Sequence, residues 1–121
     1  MAITKTSNGI DGRGNLTVYT QENAGGDAQT CSTAGGQVEK LLFVIAMYED
    51  APTQTGVLVT FNSATGAAYD TVLSTGSANV QANSYIPASE IIIQPGDTID
   101  VLAPAPGGVI GSAVSIYTEA L

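Results

Sequence analysis

The side chains able to do chemistry in this 121-residue chain are few: eleven Asp and Glu, three Lys and Arg, one Cys and no His. General acid–base catalysis needs two titratable groups held at one site. The closest acid pairs are Asp97 with Asp100 and Glu49 with Asp50. Successive side chains of a strand alternate faces, so the odd separation in each pair sends its members apart. They read as solvated acids at strand ends, where charged residues are normally exposed. Without histidine the Ser-His-Asp and Cys-His mechanisms are closed. A Ser–Lys nucleophile would have to use Lys5 or Lys40, and Lys40 reads as a charge flanking an apolar strand. Cys31 has no cysteine to pair with and no imidazole to activate it, so it reads as a bystander thiol. Zinc lacks its ligands, and the closely spaced acids of a calcium loop are missing. The glycines of NAGGD (23–27) and TAGGQ (33–37) are not followed by the Lys-Ser/Thr of a phosphate loop. No cofactor and no catalytic residue is expected.

Carbohydrate recognition would need a platform of exposed aromatic rings. The chain has no Trp, and Tyr19, Tyr48, Tyr69, Tyr85 and Tyr117 are spread over separate segments. Each reads as a ring at the edge of the core with its hydroxyl reaching water. A formal net charge of −8 leaves too few cations to neutralise a phosphate backbone, and it disfavours anionic lipid. Neither nucleic acid nor membrane is an expected partner. The N-terminal residues contain no apolar run like that of a signal peptide. The longest apolar run, residues 41–47, is too short to span a bilayer. Folding in a reducing cytoplasm is expected.

The elements that must position these groups are strands. A hydrophobic share of 44% over 121 residues suffices for one core, and no stretch keeps a helical period. LTVYT (16–20) alternates, and the Gly-rich stretch 21–36 reads as a loop. QVEKLLFVIAMYED (37–50) is the most strongly patterned segment. Strict alternation puts Leu41, Phe43, Ile45 and Met47 on one side and Leu42, Val44, Ala46 and Tyr48 on the other. Both sides are apolar, which predicts a strand covered on both faces, the second by a neighbouring subunit. GVLVTFN (56–62) points Val57, Val59 and Phe61 inward, and the C-terminal strand contributes Ile110, Val114 and Ile116. In SEIIIQPGDTID (89–100), Pro95 ends a strand and Gly96 suits a type II turn. Asp97 is placed to bond local amides. About eight strands with turns near ten-residue spacing predict an all-β sandwich or barrel.

Residues 56–121 resemble small structural proteins of tailed bacteriophages, in particular capsid decoration (cement) proteins with a jelly-roll or tumour-necrosis-factor-like sandwich. The resemblance is carried by GVLVTFNSATGAAYDT (56–71), by the corner YIP…QPGDTIDVLAP (85–104) and by the terminal SIYTEAL (115–121). It implies a jelly-roll-like antiparallel β-sandwich over residues 14–121, preceded by an N-terminal arm at 1–13. It further implies a homotrimeric virion protein on the capsid exterior that binds the major capsid protein and stabilises the shell against internal DNA pressure. On that reading Leu42, Val44 and Tyr48 are expected at the oligomer interface, and Ile3, Lys5, Ile10 and Arg13 in a capsid-binding arm. The competing expectation is a receptor- or glycan-binding β-sandwich module of a phage tail or fibre.

Overall fold

A computed structural model describes residues 4–8, 16–33 and 36–121. Strands β1 (Thr4–Asn8), β2 (Leu16–Asn23), β3 (Gln29–Ser32), β4 (Glu39–Tyr48), β5 (Leu58–Asn62), β6 (Thr71–Thr75), β7 (Ala82–Tyr85), β8 (Ile92–Ile93), β9 (Thr98–Ala103) and β10 (Ser112–Ala120) form two antiparallel sheets. The larger sheet runs β1-β2-β10-β4-β7, with β8 also on β4; the smaller runs β3-β9-β5-β6. A 3-10 turn at Ala67–Tyr69 is the helical element among the described residues. The protein is an all-β, jelly-roll-like sandwich. It has more strands than the sequence suggests. β3 lies inside the stretch expected to be a loop, because its inward positions are Gln29 and Cys31, neither of which marks a strand by hydrophobicity.

The core lies between the sheets. Tyr19, Val44, Ala46, Val114 and Ile116 from the large sheet meet Cys31, Val59, Ile99 and Val101 from the small one. Val57 and Val59 are buried as alternation requires, and Phe61 and Ile110 pack against the cluster from its edge. The corner at 94–97 is built as its residues dictate. Gly96 has φ 93, Asp97 N–H donates to the Gln94 carbonyl at 3.0 Å, and Asp97 Oδ1 accepts Ala64 N–H at 2.8 Å. One carboxylate thus ties the β8–β9 turn to the loop after β5.

Strand β4 departs from strict alternation. Its register with β10 pairs Phe43 with Tyr117 but Leu41 with Thr118, so Leu42 is an extra residue, a β-bulge. The bulge reverses the phase along the strand. Leu41 points inward, and so do Val44, Ala46 and Tyr48 beyond it. Phe43, Ile45 and Met47 are left on the outer side.

At the end of the core where β4 begins, Glu39 is fully buried. Its carboxyl group accepts the Tyr19 hydroxyl at 2.9 and 3.0 Å and the Thr118 hydroxyl at 2.6 Å, joining β2, β4 and β10. The expectation that Tyr19 turns its hydroxyl to water is corrected here. The ring is fully buried, and its oxygen has an acid in the core to bond. Replacing Glu39 with Ala removes an acceptor that two buried hydroxyls share, and a donor left unsatisfied costs about 1–3 kcal/mol. Urea unfolding is expected to show a loss of about 3 kcal/mol for Glu39→Ala. Glu39→Gln, which keeps one acceptor oxygen, loses roughly half of that.

Cys31 is also fully buried and donates its thiol weakly to the Tyr19 carbonyl at 3.7 Å. Burial pushes its pKa from the usual 9.0 up to about 11. The folded chain therefore holds a proton that the unfolded chain releases. The associated stability is complete below pH 9.0 and disappears as pH rises through about 11. The free energy of unfolding from urea titrations is expected to fall across that window by up to about 1.4 kcal/mol per pH unit. Cys31→Ala is expected to flatten the fall, and the native thiol is expected to resist a disulfide reagent at pH 8.

Candidate functional site

The acids are occupied with architecture. Glu49 Oε1 accepts Gly111 N–H at 2.7 Å while Glu49 N–H donates to the Gly111 carbonyl at 2.9 Å, locking the end of β4 to the start of β10. Asp50 Oδ1 accepts Ala51 N–H, and Asp70 Oδ1 accepts Ser63 N–H, each at 2.8 Å. Asp100 accepts Asn62 Nδ2 and the Thr98 hydroxyl on the outside of β9, both at 2.9 Å. Neither acid pair converges on a site. Among the described residues no group of three or more His, Cys, Asp or Glu is placed to hold a metal. The small cavity between the sheets, about 40 Å³ beside Val44, Val59 and Tyr85, has space for a few water molecules.

What distinguishes the molecule is its two unlike outer faces. On the small sheet, the outward rows are Thr30–Leu102–Leu58–Thr75, Ser32–Asp100–Thr60–Val72 and Thr98–Asn62, a mixed surface that carries Asp100 and an exposed Val72. On the large sheet, register places Val18, Tyr117 and Phe43 in one row and Thr20, Ser115 and Ile45 in the next. Glu22, Ala113 and Met47 make a third row. Val18, Phe43, Ile45 and Tyr117 are half-buried, none belongs to the core cluster, and Met47 is 50% exposed. Charge on this face is sparse. Lys40 pairs with Glu119 at 3.6 Å, and Glu22 stands at the opposite end. On a chain of net charge −8, this is a nearly neutral apolar surface.

Phe43 and Tyr117 stack with centroids 4.2 Å apart and planes at 21°. They sit directly across from each other on neighbouring strands, which lie about 4.8 Å apart. Nearly parallel rings at that separation must stand upright from the sheet. Each turns one flat face to the other ring, and Tyr117 has Val18 on its far side. A sugar ring stacking on an aromatic needs a free face, and this pair spends one face of each ring on the other.

At one end of the face lies an open groove of about 570 Å³, lined by Glu22, Asn23, Met47, Tyr48, Glu49 and Ser112 among others. It exists because small Ala113 stands between the longer Glu22 and Met47 in their row, and Gly111 continues the floor.

The structure sorts the sequence-predicted site residues differently from the expectation. Leu42 is the bulge residue and half-buried. Val44 and Tyr48, expected at a subunit interface, are 2% and 3% exposed within the chain's own core, because their side of β4 is the one that packs on the small sheet. Tyr48 donates its hydroxyl to the Pro104 carbonyl at 2.7 Å, and burial pushes its pKa up. The outward residues of the same strand are Phe43, Ile45 and Met47. Alternation grouped these three correctly, and the doubly apolar pattern left open which of the two rows faces out. Lys5 lies in β1, whose backbone pairs with β2 opposite Tyr19. The segment 4–8 of the expected arm is thus an edge strand of the large sheet. Ile3, Ile10 and Arg13 lie outside the described residues.

No protein-family description matches the chain, and no curated protein does. Among solved structures, the chain is similar to the family 32 carbohydrate-binding module of C. perfringens NanJ in complex with galactose. The TM-score is 0.46 at 17% identity, over 96% of this chain and 92% of that one. It is also similar to a family 29 carbohydrate-binding module mutant complexed with cellulohexaose, with TM-score 0.40 and 15% identity over 98% and 75% of the two chains. A third similarity is to the cysteine peptidase Peruvianin-I from Thevetia peruviana latex, with TM-score 0.36 and 13% identity over 98% and 61%. At such scores and identities none of the three bears on what this chain binds.

Proposed function

We propose that the chain is a non-catalytic β-sandwich binding module that works by docking the outer face of its large sheet against another protein. The single observation that carries this reading is the group of Val18, Phe43, Ile45, Met47 and Tyr117 on the outer face, none of which belongs to the core cluster. Strands about 4.8 Å apart and about 3.3 Å per residue give β2, β10, β4 and β7 a footprint of roughly 500 Å². The apolar residues occupy part of that area, among Thr20, Ser115 and Glu22, and a contiguous apolar patch of a few hundred Å² is often functional. Covering it on both partners removes roughly 1,000 Å² from water, the lower end of specific protein interfaces.

The partner class comes from the resemblance of residues 56–121 to phage decoration proteins: the major capsid protein of a virion shell, bound from outside. Repetition strengthens such a role. A modest interface repeated by a homo-oligomer over a symmetric shell gains avidity. The second reading is a glycan-binding module. What favours it is the groove beside the face, where carboxylate, amide and hydroxyl groups line one open space. The Phe43–Tyr117 pair weighs against it, because each ring spends one of its faces on the other.

Co-sedimentation with shells stripped of this protein, run beside a glycan array, tests both readings. Wild type is expected to bind the shells and no glycan. Ile45→Lys and Phe43→Ser are expected to lower shell affinity at least about tenfold, or 1.4 kcal/mol. Both variants should remain folded, Ile45→Lys near the wild-type midpoint and Phe43→Ser lower by about 0.5–1.5 kcal/mol for the lost stack on Tyr117. Glycan binding that survives both substitutions, with no shell binding by wild type, would replace the first reading with the second.

A further inference from the structure

The groove at the end of the docking face has a shape and charge that its neighbours on the sheet do not share. Its walls come from three adjacent strands of one sheet: Glu22 at the end of β2, Ala113 near the start of β10, Met47 near the end of β4. With Ala113 between two long side chains, the opening is a slot about one side chain wide, since Glu22 and Met47 stand roughly 10 Å apart at their backbones. One long wall is apolar, the half-exposed Met47. The opposite wall is the exposed carboxylate of Glu22. The far end is closed by Glu49, whose Oε1 is held by Gly111 N–H at 2.7 Å, leaving Oε2 to accept. The floor is the small Ala113 and Gly111, while Ser112, between them on β10, turns its hydroxyl to the core, where it accepts Gln29 Nε2 at 2.5 Å.

We propose that this slot receives a cationic side chain, an arginine or lysine, presented by the protein that docks on the apolar face. The chemistry fits in order along the slot. The apolar stem of such a side chain lies along Met47, as long cationic side chains do on apolar surface. Its charged head reaches the carboxylates of Glu22 and Glu49, which come from different strands and face a shared space. A guanidinium bridges two separated carboxylates better than an ammonium because its donors form a planar fork. The chain's own charge of −8 favours a cationic partner group over an anionic one at this spot. Met47 and Ala113 belong both to the slot and to the face, so the anchor and the apolar contact form one continuous surface. An arginine seated beside an apolar patch is a common arrangement at the centre of binding energy in protein interfaces. This inference rests on the docking reading above, but its test does not depend on knowing the partner.

The test is an NMR titration of the intact chain with N-acetyl-arginine methylamide, alongside N-acetyl-norleucine methylamide and galactose. Saturable shifts are expected for Glu22, Gly111, Ser112 and Ala113 with the arginine probe and with neither control. Glu22→Gln, an exposed position, is expected to weaken the arginine effect at least about fivefold, and added salt to weaken it further, as for exposed charges. Absence of saturable arginine shifts would overturn the proposal, as would arginine shifts indifferent to Glu22→Gln. Galactose saturating the slot in place of arginine would overturn it in favour of a polyol site. If the arginine test fails while Ile45→Lys still abolishes shell binding, the docking face stands and only the anchor falls. If the arginine test succeeds while wild type ignores shells, the slot stands and the capsid reading falls.

Discussion

Backbone pairing of β4 between β10 and β7 leaves apolar side chains on both sides of one central strand, and only one side finds cover within the chain. The inner row, Leu41, Val44, Ala46 and Tyr48, packs on the small sheet. The outer row, Phe43, Ile45 and Met47, has the neighbouring strands beside it and solvent above it. A sandwich has no third layer of its own to offer. Burial of apolar surface contributes about 25 cal/mol per Å², so an uncovered face of several residues favours association more than any polar contact elsewhere on this surface. The division between the two rows is set by the Leu42 bulge, which lets ten residues carry an inward Glu39 and Leu41 at one end and an inward Val44, Ala46 and Tyr48 at the other.

The polar groups of the molecule serve that frame. Glu39 joins three strands from inside the core; Glu49 clamps β4 to β10; Asp97 ties one turn to another loop; Asp70 closes a loop on itself. Each accepts hydrogen bonds from hydroxyl or backbone N–H groups fixed by the fold, and none is paired with a second acid in a way that would separate an acid from a base. Rigidity is the shared result. A surface that must match a partner without rearranging loses less entropy on binding than a flexible one, and an apolar face on a tightly held sheet meets that condition.

Much of the fold was legible in the sequence because strand periodicity and turn chemistry speak through residue type. The Pro95-Gly96-Asp97 corner appears as its residues require, and Val114 and Ile116 are fully buried where alternation puts them. Three features were not legible, each for a physical reason. β3 carries its inward positions on Gln29 and Cys31, so hydrophobic alternation is silent there. Glu39 is an acid in the core, contrary to the strong tendency of carboxylates to stay in water. The bulge at Leu42 leaves no mark, since Leu41, Leu42 and Phe43 are all apolar and any phase fits them. The strand with two apolar faces was visible, but two equally apolar rows do not tell which of them the small sheet covers. The slot beside it depends on cross-strand neighbours more than sixty residues apart, Glu22 and Met47 around Ala113, which only register can bring together.

Cover of the outer face of the large sheet by a protein partner is measured directly by hydroxyl-radical footprinting of the chain, free and on the particle that the proposed role requires. Oxidation of Phe43, Met47 and Tyr117 should fall several-fold on the particle while Tyr69, 65% exposed beside the small sheet, stays as reactive as in the free chain. Protection of Tyr69 with undiminished oxidation of Met47 and Tyr117 would contradict it.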